Sequence, residues 1–344
     1  MKALRPVLAL LALTVLASAA AQNIPAAFSG GNQPTVALVR QLCTGDFFSQ
    51  WLNGAQNEAK SLGIKMVTYC ANGDDAKMAS DMQIAITQKV DAIIVDHGRD
   101  ATMAPLVQRA TGAGIKVVTF DLSTTDPAVV QIAQNEFSMG LQITMKMLSD
   151  LNGTGEMGLV YVGGFDPLDK RKAVFDAVRK FYPNVTLDGT WGTVSSNTVG
   201  EVESQTSAAL LAHPNMKAIL APYDAFALGA MNAVSRQNKD VKVYGCDIST
   251  ADIQAMIAAG SPWVATAATN PANIGSVAVR AAARLVAGET LPRYVLIEPT
   301  LVTRAFLVDN NVTNMADLSQ KMPAFATTDE LMTPWMSALK SQHM

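Results

Sequence analysis

From Pro34 onward this chain alternates short apolar runs of strand type with amphipathic helical stretches, and that alternation leaves few folds open. A strand, a crossover helix and a second parallel strand form a right-handed unit, and repeating that unit builds a parallel sheet covered by helices on both faces. In a first cycle the pattern predicts strands over Thr35–Arg40, Ile64–Tyr69, Ala92–Val95, Ile115–Phe120 and Val129–Ala133. Helices are predicted between most of them, over Phe47–Leu62, Ala76–Gln88 and Thr102–Ala113. A second cycle starts after the turn at Gly153-Thr154-Gly155, with strands at Glu156–Val162, Val185–Gly189, Ala218–Ala221, Val241–Gly245 and Trp263–Ala268. Its helices fall near Lys170–Phe181, Thr198–Ala212, Ala225–Gln237 and Ala251–Ala259; a last helix, Ala272 to Ala287, precedes an apolar run from Tyr294 to Leu307 that Pro299 interrupts. The fold class is therefore α/β, with two doubly wound parallel-sheet lobes, and 344 residues suffice for two cores. Beyond Asp309 the sequence turns polar, contains Pro323 and Pro334, and reads as an extension packed over the outside.

Two of the strand ends are nearly the same. Lys116-Val-Val-Thr-Phe-Asp121 runs into Leu122-Ser-Thr124, and Lys242-Val-Tyr-Gly-Cys-Asp247 runs into Ile248-Ser-Thr250. Each should deliver a carboxylate to the carboxyl edge of its sheet, where open α/β sheets bind ligands. Two such acids, 126 positions apart, fit two lobes that close on a polar solute. The alternative is chance similarity between two buried strands.

The N-terminus carries a targeting pattern. Lys2 and Arg5 are basic, Val7 to Leu16 is apolar but shorter than a membrane span, and Ala17-Ser18-Ala19 or Ala19-Ala20-Ala21 offers a cleavage site. The mature chain should start near Gln22 and reside outside the cytoplasm, without the cysteine that a bacterial lipid anchor requires. Removing Lys2 and Arg5 takes the net charge from −3 to −5, which argues against nucleic acid as a partner. Of the three cysteines, Cys43 and Cys70 follow or end neighbouring strands and could pair, while Cys246 reads as a small core residue.

Signatures of common chemistry are missing. Gly153-x-Gly155-x-x-Gly158 matches the dinucleotide string, but it precedes a strand instead of following one, so it is a turn and no cofactor is expected. No zinc spacing, P-loop or nucleophile elbow occurs, and His213 and His343 lie away from strand ends. His97, in Asp96-His97-Gly98, ends the third strand and can reach the cleft, either as a ligand contact or as edge structure. Asp46, Phe47 and Phe48 join the first strand to its helix, a carboxylate beside rings that suits the hydroxyls and C–H face of a sugar; Asp46 could also cap the helix, and Trp51 reads as core. In the second lobe Asp166 and Arg171 follow a Gly163-Gly164 pair, Tyr223 with Asp224 ends another strand, and Asn270 closes the last one.

At these positions the chain resembles the periplasmic sugar-binding proteins of ABC importers, in the branch that includes ribose-binding proteins and shares its fold with LacI-type repressors. The resemblance runs from about Thr35 to Leu307. It is carried by Val36 to Val39 with Phe47 and Phe48, by Val118 to Asp121, and by Arg171 with Phe175. Asp224 with Ala227 to Ala230, Gly245 with Asp247, and Asn270-Pro271 with Ile274-Gly275 complete it. It implies a periplasmic binding protein type I fold, two Rossmann-like lobes joined by crossovers near Asn135, Thr269 and Thr300. The lobes would comprise 34–135 with 270–300 and 136–269 with 301–308, between a signal peptide at 1–21 and an extension at 309–344. It also implies that Phe47 and Phe48 sandwich the sugar while Asp121, Arg171 and Asp247 bind its hydroxyls. Leu122, Tyr223 and Thr269 stand where ribose binders carry arginine, asparagine and glutamine, which points away from ribose toward another pentose, a hexose, a polyol, or a deoxy or branched sugar.

The function expected is that of a monomeric periplasmic receptor, not an enzyme, that closes on a small carbohydrate and delivers it to an ABC permease and its ATPase, with no metal, cofactor or nucleic acid. A sensor subunit for a chemoreceptor or kinase is the alternative; a glycosidase using the two aspartates is less favoured, and a repressor lacks its DNA-reading helix. Intact-mass measurement of the protein recovered from the exported fraction should give a chain starting near Gln22. A mass retaining Met1 would overturn the targeting assignment.

Overall fold

Two six-stranded sheets, each wrapped by helices, account for most of residues 24–343, which the computed structural model describes. The targeting segment lies outside the described residues. In chain order the elements are β1 (Thr35–Arg40), α1 (Asp46–Ser61), β2 (Lys65–Cys70), α2 (Asp75–Thr87), β3 (Ala92–Asp96), α3 (Asp100–Gly112), β4 (Lys116–Phe120) and β5 (Val130–Gln134). There follow α4 (Glu136–Asp150), β6 (Gly155–Val160), α5 (Asp166–Arg179), β7 (Val185–Trp191), α6 (Thr198–Ala212), β8 (Met216–Ala221), α7 (Asp224–Arg236), β9 (Lys242–Cys246), α8 (Thr250–Ile257) and β10 (Trp263–Ala268). The chain ends with α9 (Pro271–Val286), β11 (Tyr294–Ile297), β12 (Thr300–Thr303), α10 (Arg304–Asp309), α11 (Met315–Lys321) and α12 (Pro334–His343).

The first sheet has the order β11-β5-β4-β3-β1-β2 with every pair parallel; the second has the order β12-β10-β9-β8-β6-β7. Alternation along β1 explains the layering. Val36 and Leu38 pack into one core with α1 and α9, while Ala37 and Val39 pack into another with Met78, Met82 and Met103 from α2 and α3. Both faces are covered, so the strand reads as a continuous apolar run. Helix α9 returns from the second lobe to dock on α1 backbone to backbone. A Cβ at Gly54 would come 2.0 Å from the Ala272 carbonyl oxygen, and one at Gly275 would come 2.1 Å from that of Trp51.

Strand ends share one device. His97, Asp121 and Asp247 each follow their strand with φ of 63°, 49° and 70°. Each still donates its amide to the neighbouring strand, His97 to Phe120 O at 2.9 Å, Asp121 to Ile132 O at 3.1 Å and Asp247 to Ala267 O at 2.9 Å. The left-handed residue ends the pleat while the ladder continues, and Asp and His tolerate that region better than most side chains.

Three features depart from the sequence-based expectation. Helix α4 was not foreseen, because its apolar residues fall on two faces: Met139, Ile143 and Met147 are buried, whereas Phe137, Leu141 and Met145 are exposed, which blurs the amphipathic period. Strand β12 runs antiparallel to β10, since it returns directly from β11 without a crossover helix, so the second sheet is mixed. The tail is more than an outer extension. Val312, Leu318 and Phe325 enter the core of the second lobe, and Trp335, Met336 and Leu339 enter that of the first. It therefore forms a fourth connection between lobes, besides those at Asn135, Thr269 and Pro299. Cys43 and Cys70 are disulfide-bonded, with Cα atoms 6.1 Å apart, and Cys246 is free and buried.

The tail is anchored by Arg280, which pairs with Glu58 and donates to the carbonyls of Thr328 and Glu330, by Lys340 on Glu58, and by Trp335 Nε1 on Glu289 at 2.7 Å. Trp335→Ala should cost about 3 kcal/mol by removing a buried indole. Urea unfolding should register a lower midpoint, and an unchanged midpoint would mean that the tail is only draped on the surface.

Candidate functional site

The strand-to-helix loops of both sheets face each other, and between them lies a cavity of about 50 Å³. The N-terminal lobe contributes Gln41, Leu42, Phe47, Phe48, His97 and Gln134; the other lobe contributes Phe165, Pro167, Leu168, Arg171, Val194, Tyr223 and Asp247. Phe47 and Phe48 stand edge to face, with centroids 5.5 Å apart. The lining is mainly apolar, with Leu42, Phe47, Phe48, Phe165, Leu168 and Val194 among it, and the polar side chains Arg171, Asp247, Gln134, Gln41 and His97 are set into it.

Arg171 organises the polar side chains. Only 3% exposed, it donates from Nη1 to Asp247 Oδ2 at 3.0 Å and to the Pro222 carbonyl at 2.8 Å, and from Nη2 to Asp247 Oδ1 at 3.3 Å. Its Nε pairs with Glu136. Gln134 crosses between lobes: its Nε2 donates to Asp247 Oδ1 at 3.0 Å, while its Oε1 accepts from the Thr269 hydroxyl at 2.6 Å. Behind these groups sits Asp121, buried, its side chain hydrogen-bonded to the Glu136 carboxyl. Burial and the Glu136 charge push the Asp121 carboxyl well above the usual range, and burial raises Glu136 as well despite Arg171. Burial, Asp224 and Asp247 keep the Tyr223 phenol protonated.

Of the residues singled out in the sequence, Phe47, Phe48, His97, Arg171, Tyr223 and Asp247 line this cavity. Asp121 lies beside it, with His97 Nε2 3.5 Å from its Oδ2. Three others are used differently. Asp46 does not cap its own helix; it accepts from Gln50 at 2.8 Å and, across the cleft, from the Ala251 amide in the first turn of α8 at 3.0 Å. Asp166 bridges the lobes by accepting from the Ser123 hydroxyl at 2.5 Å and pairs with Lys170. Asn270 is directed away from the cavity. Its Oδ1 accepts from Ala272 N, capping α9, and its Nδ2 donates to the Phe325 carbonyl at 2.7 Å, so one end of the amide is committed to the cap and the other to the tail.

Sequence reasoning overlooked Gln41, Gln134, Glu136, Phe165 and Val194. Gln41 and Gln134 follow or end strands, the same signal that singled out Asp121, while Glu136 opens the helix that was not recognised and Val194 lies in a loop without a local signature. Leu122 is turned into the core of the first lobe, so the position offers the cavity no polar group. Arg99 reaches across the cleft, donating to the Gly163 carbonyl at 3.1 Å with its guanidinium 4.6 Å from the Phe165 ring centroid. Together with Asp46 on Ala251 and Ser123 on Asp166, this contact marks a closed arrangement.

A second cleft, lined in part by Asp46, Asp224 and Asp252, adjoins the first at Phe48 and Tyr223. Burial, with Asp247 and Asp46 nearby, raises Asp252 to about 7 even though Ser249 hydrogen-bonds it, and burial raises Asp100 to about 6 despite the Ser123 amide. Both carboxyls start from 3.8, so the native state holds more protons than the unfolded chain between that value and about 7. Stability is then greatest at the acidic end of the window and falls as pH rises through it. Asp96 and Asp317, which are lowered, act below 3.8 and leave the window untouched. Thermal unfolding should give a higher midpoint at about pH 5 than at about pH 7.5, and Asp252→Asn should flatten the difference; a midpoint that rises with pH would contradict the assignment.

The periplasmic binding protein domain matches residues 36–290. The ribose import binding protein of Bacillus subtilis (strain 168) is 27% identical over 263 residues, spanning 75% of this chain and 84% of that protein. A 5-methylthioribose transporter solute-binding protein from Thermotoga lettingae TMO, solved with 5-methylthioribose, is 41% identical, covers 90% of this chain and 98% of its own, and superposes with a TM-score of 0.87. A sugar ABC transporter structure from Yersinia enterocolitica is 32% identical, covering 94% and 99%, with a TM-score of 0.90. The matched domain, the two facing six-stranded lobes and the cavity between them agree: this chain belongs to the periplasmic binding protein family.

Proposed function

We propose that this protein is exported, closes around one small sugar and presents it, as a monomer, to the permease and ATPase of an ABC importer, and that the sugar is a pentose bearing an apolar group at one end, of the 5-methylthioribose kind. The observation that carries this reading is the composition of the cavity lining, mainly apolar with a few polar side chains. Arg171, Asp247, Gln134, Gln41 and His97 can exchange hydrogen bonds with adjacent hydroxyls, whereas Leu42, Phe165, Leu168 and Val194 offer nothing to a hydroxyl. A fully hydroxylated sugar would leave a hydroxyl unpaired against that wall, at a cost of about 1–3 kcal/mol. A methylthio group would bury there, and sulfur against the edges of Phe47 or Phe165 is favourable. The core position of Leu122, where ribose binders carry arginine, and the use of Thr269 to hold Gln134 support the same reading. So does the 41% identical structure solved with that sugar.

Titration calorimetry with 5-methylthioribose, 5-deoxyribose, ribose, allose and xylitol tests it. Methylthioribose should bind roughly tenfold or more tightly than ribose, from about 0.8 kcal/mol per buried methylene-sized group. Asp247→Ala should abolish binding by leaving Arg171 short of its partner. Equal affinity for ribose and methylthioribose would refute the apolar-end assignment, and no binding by any member would refute the sugar-receptor reading.

A further inference from the structure

His97 is held in place by an unusual chain of buried groups. Its left-handed backbone (φ 63°) persists in a non-glycine residue only where the surroundings fix it. Its ring meets Phe48 and Phe120 edge to face, with centroids 5.5 Å and 5.0 Å away, and its Nδ1 lies 2.6 Å from Asp96 Oδ1. The other oxygen of Asp96 accepts from Arg40 Nε at 2.7 Å. Arg40, fully buried, donates from Nη2 to the Phe48 carbonyl at 3.1 Å and stacks 5.1 Å from the Trp51 ring centroid. A wholly buried ion pair is costly unless well paired, and here it ends on a residue that faces the cavity.

The chemistry of the chain fixes the ring. Burial works to raise Asp96, but Arg40 and His97 outweigh it and hold the group below the usual carboxylate range. An ionised carboxylate only accepts, so the nitrogen facing it must carry the proton. In the neutral ring Nε2 is then an acceptor. It stands 3.5 Å from Asp121 Oδ2, on the side of the cavity that His97 lines and Asp121 does not. His97 thus occupies the ligand-facing position that the sequence assigns to Asp121.

We propose that Arg40 and Asp96 are positioning residues that hold His97 in its Nδ1–H form, so that Nε2 accepts a hydrogen bond from a hydroxyl of the bound sugar and selects against sugars lacking that hydroxyl. This selection rests on the sugar-receptor reading above; the orientation of the ring does not. Asp96→Asn is the sharpest probe, because Arg40 can only donate. The new carboxamide must turn its oxygen to Arg40 and its NH₂ to His97 Nδ1, which forces the proton to Nε2 and converts the acceptor into a donor.

Two measurements test the proposal. Nitrogen-15 spectra of the ligand-free protein at about pH 8, above the ordinary histidine range, should show His97 protonated on Nδ1 in the wild type and on Nε2 in Asp96→Asn. Calorimetric titration with 5-methylthioribose, run below the lowered thermal midpoint expected once Asp96→Asn strips the buried Arg40 of its counter-charge, should show His97→Phe and Asp96→Asn weakened about tenfold or more, the scale of one lost hydrogen bond with its partner stranded. His97→Gln, whose carbonyl can replace Nε2, should recover part of the loss. A wild-type ring protonated on Nε2 or on both nitrogens, or His97→Phe binding within about twofold of wild type, would overturn the proposal. Should methylthioribose not bind even the wild type, the selection falls with the sugar-receptor reading, while the spectra still decide whether Asp96 positions the ring.

Discussion

The cleft depends on one buried cation. Taking a guanidinium out of water costs several kcal/mol, which only a nearly complete set of partners offsets. Arg171 finds them on separate elements: Asp247 at the end of β9, Glu136 at the start of α4 and the Pro222 carbonyl after β8. Those elements converge because the charge at the start of α5 must be met from several sides. Gln134 extends the network into the other lobe through Asp247. Arg171, Asp247 and Gln134 therefore stand at the cavity as a consequence of satisfying that charge.

Charge balance shapes the chemistry of those groups. Asp121, Glu136 and Asp247 share one cation, and burial favours protons on Asp121 and Glu136. A small polyhydroxy molecule satisfies such a set better than an anion, which would meet acids at close range. The Arg40–Asp96–His97 chain places the His97 side chain at the cavity in the first lobe while keeping the ion pair itself dry.

Closure is held together by little. Asp46 on Ala251, Arg99 on Gly163 and Ser123 on Asp166 are short polar contacts, mostly near the surface, where each adds about 1 kcal/mol at most. A ligand touching both lobes can tip such a balance, and only by as much as its affinity differs between open and closed states. The C-terminal tail alters the hinge, because its residues enter both cores and hydrogen-bond Asn270 and Asn273 beside the crossover at Thr269. Any opening motion must accommodate that fourth connection.

Much of the fold and part of the site were legible from local pattern. Strands alternate apolar residues because both faces of a parallel sheet are covered, and most predicted elements fall within two residues of those observed. Asp121 and Asp247 were recognisable because a strand ending in a left-handed residue favours aspartate at that place. Helix α4 escaped, since Phe137, Leu141 and Met145 stay exposed on a helix whose other face is core. Glu136 escaped with it. The direction of a side chain is decided by partners distant in the chain, and local sequence does not contain them. Asn270 was drawn to the tail by Phe325, and Asp46 to α8 by the Ala251 amide, 205 positions on. His97 came to stand before Asp121 because of a salt bridge between β1 and β3. The sequence by itself determined two α/β lobes with acids at matching strand ends. Only the tertiary structure decided which polar groups face the ligand, because a buried charge takes its position from whichever partner compensates it.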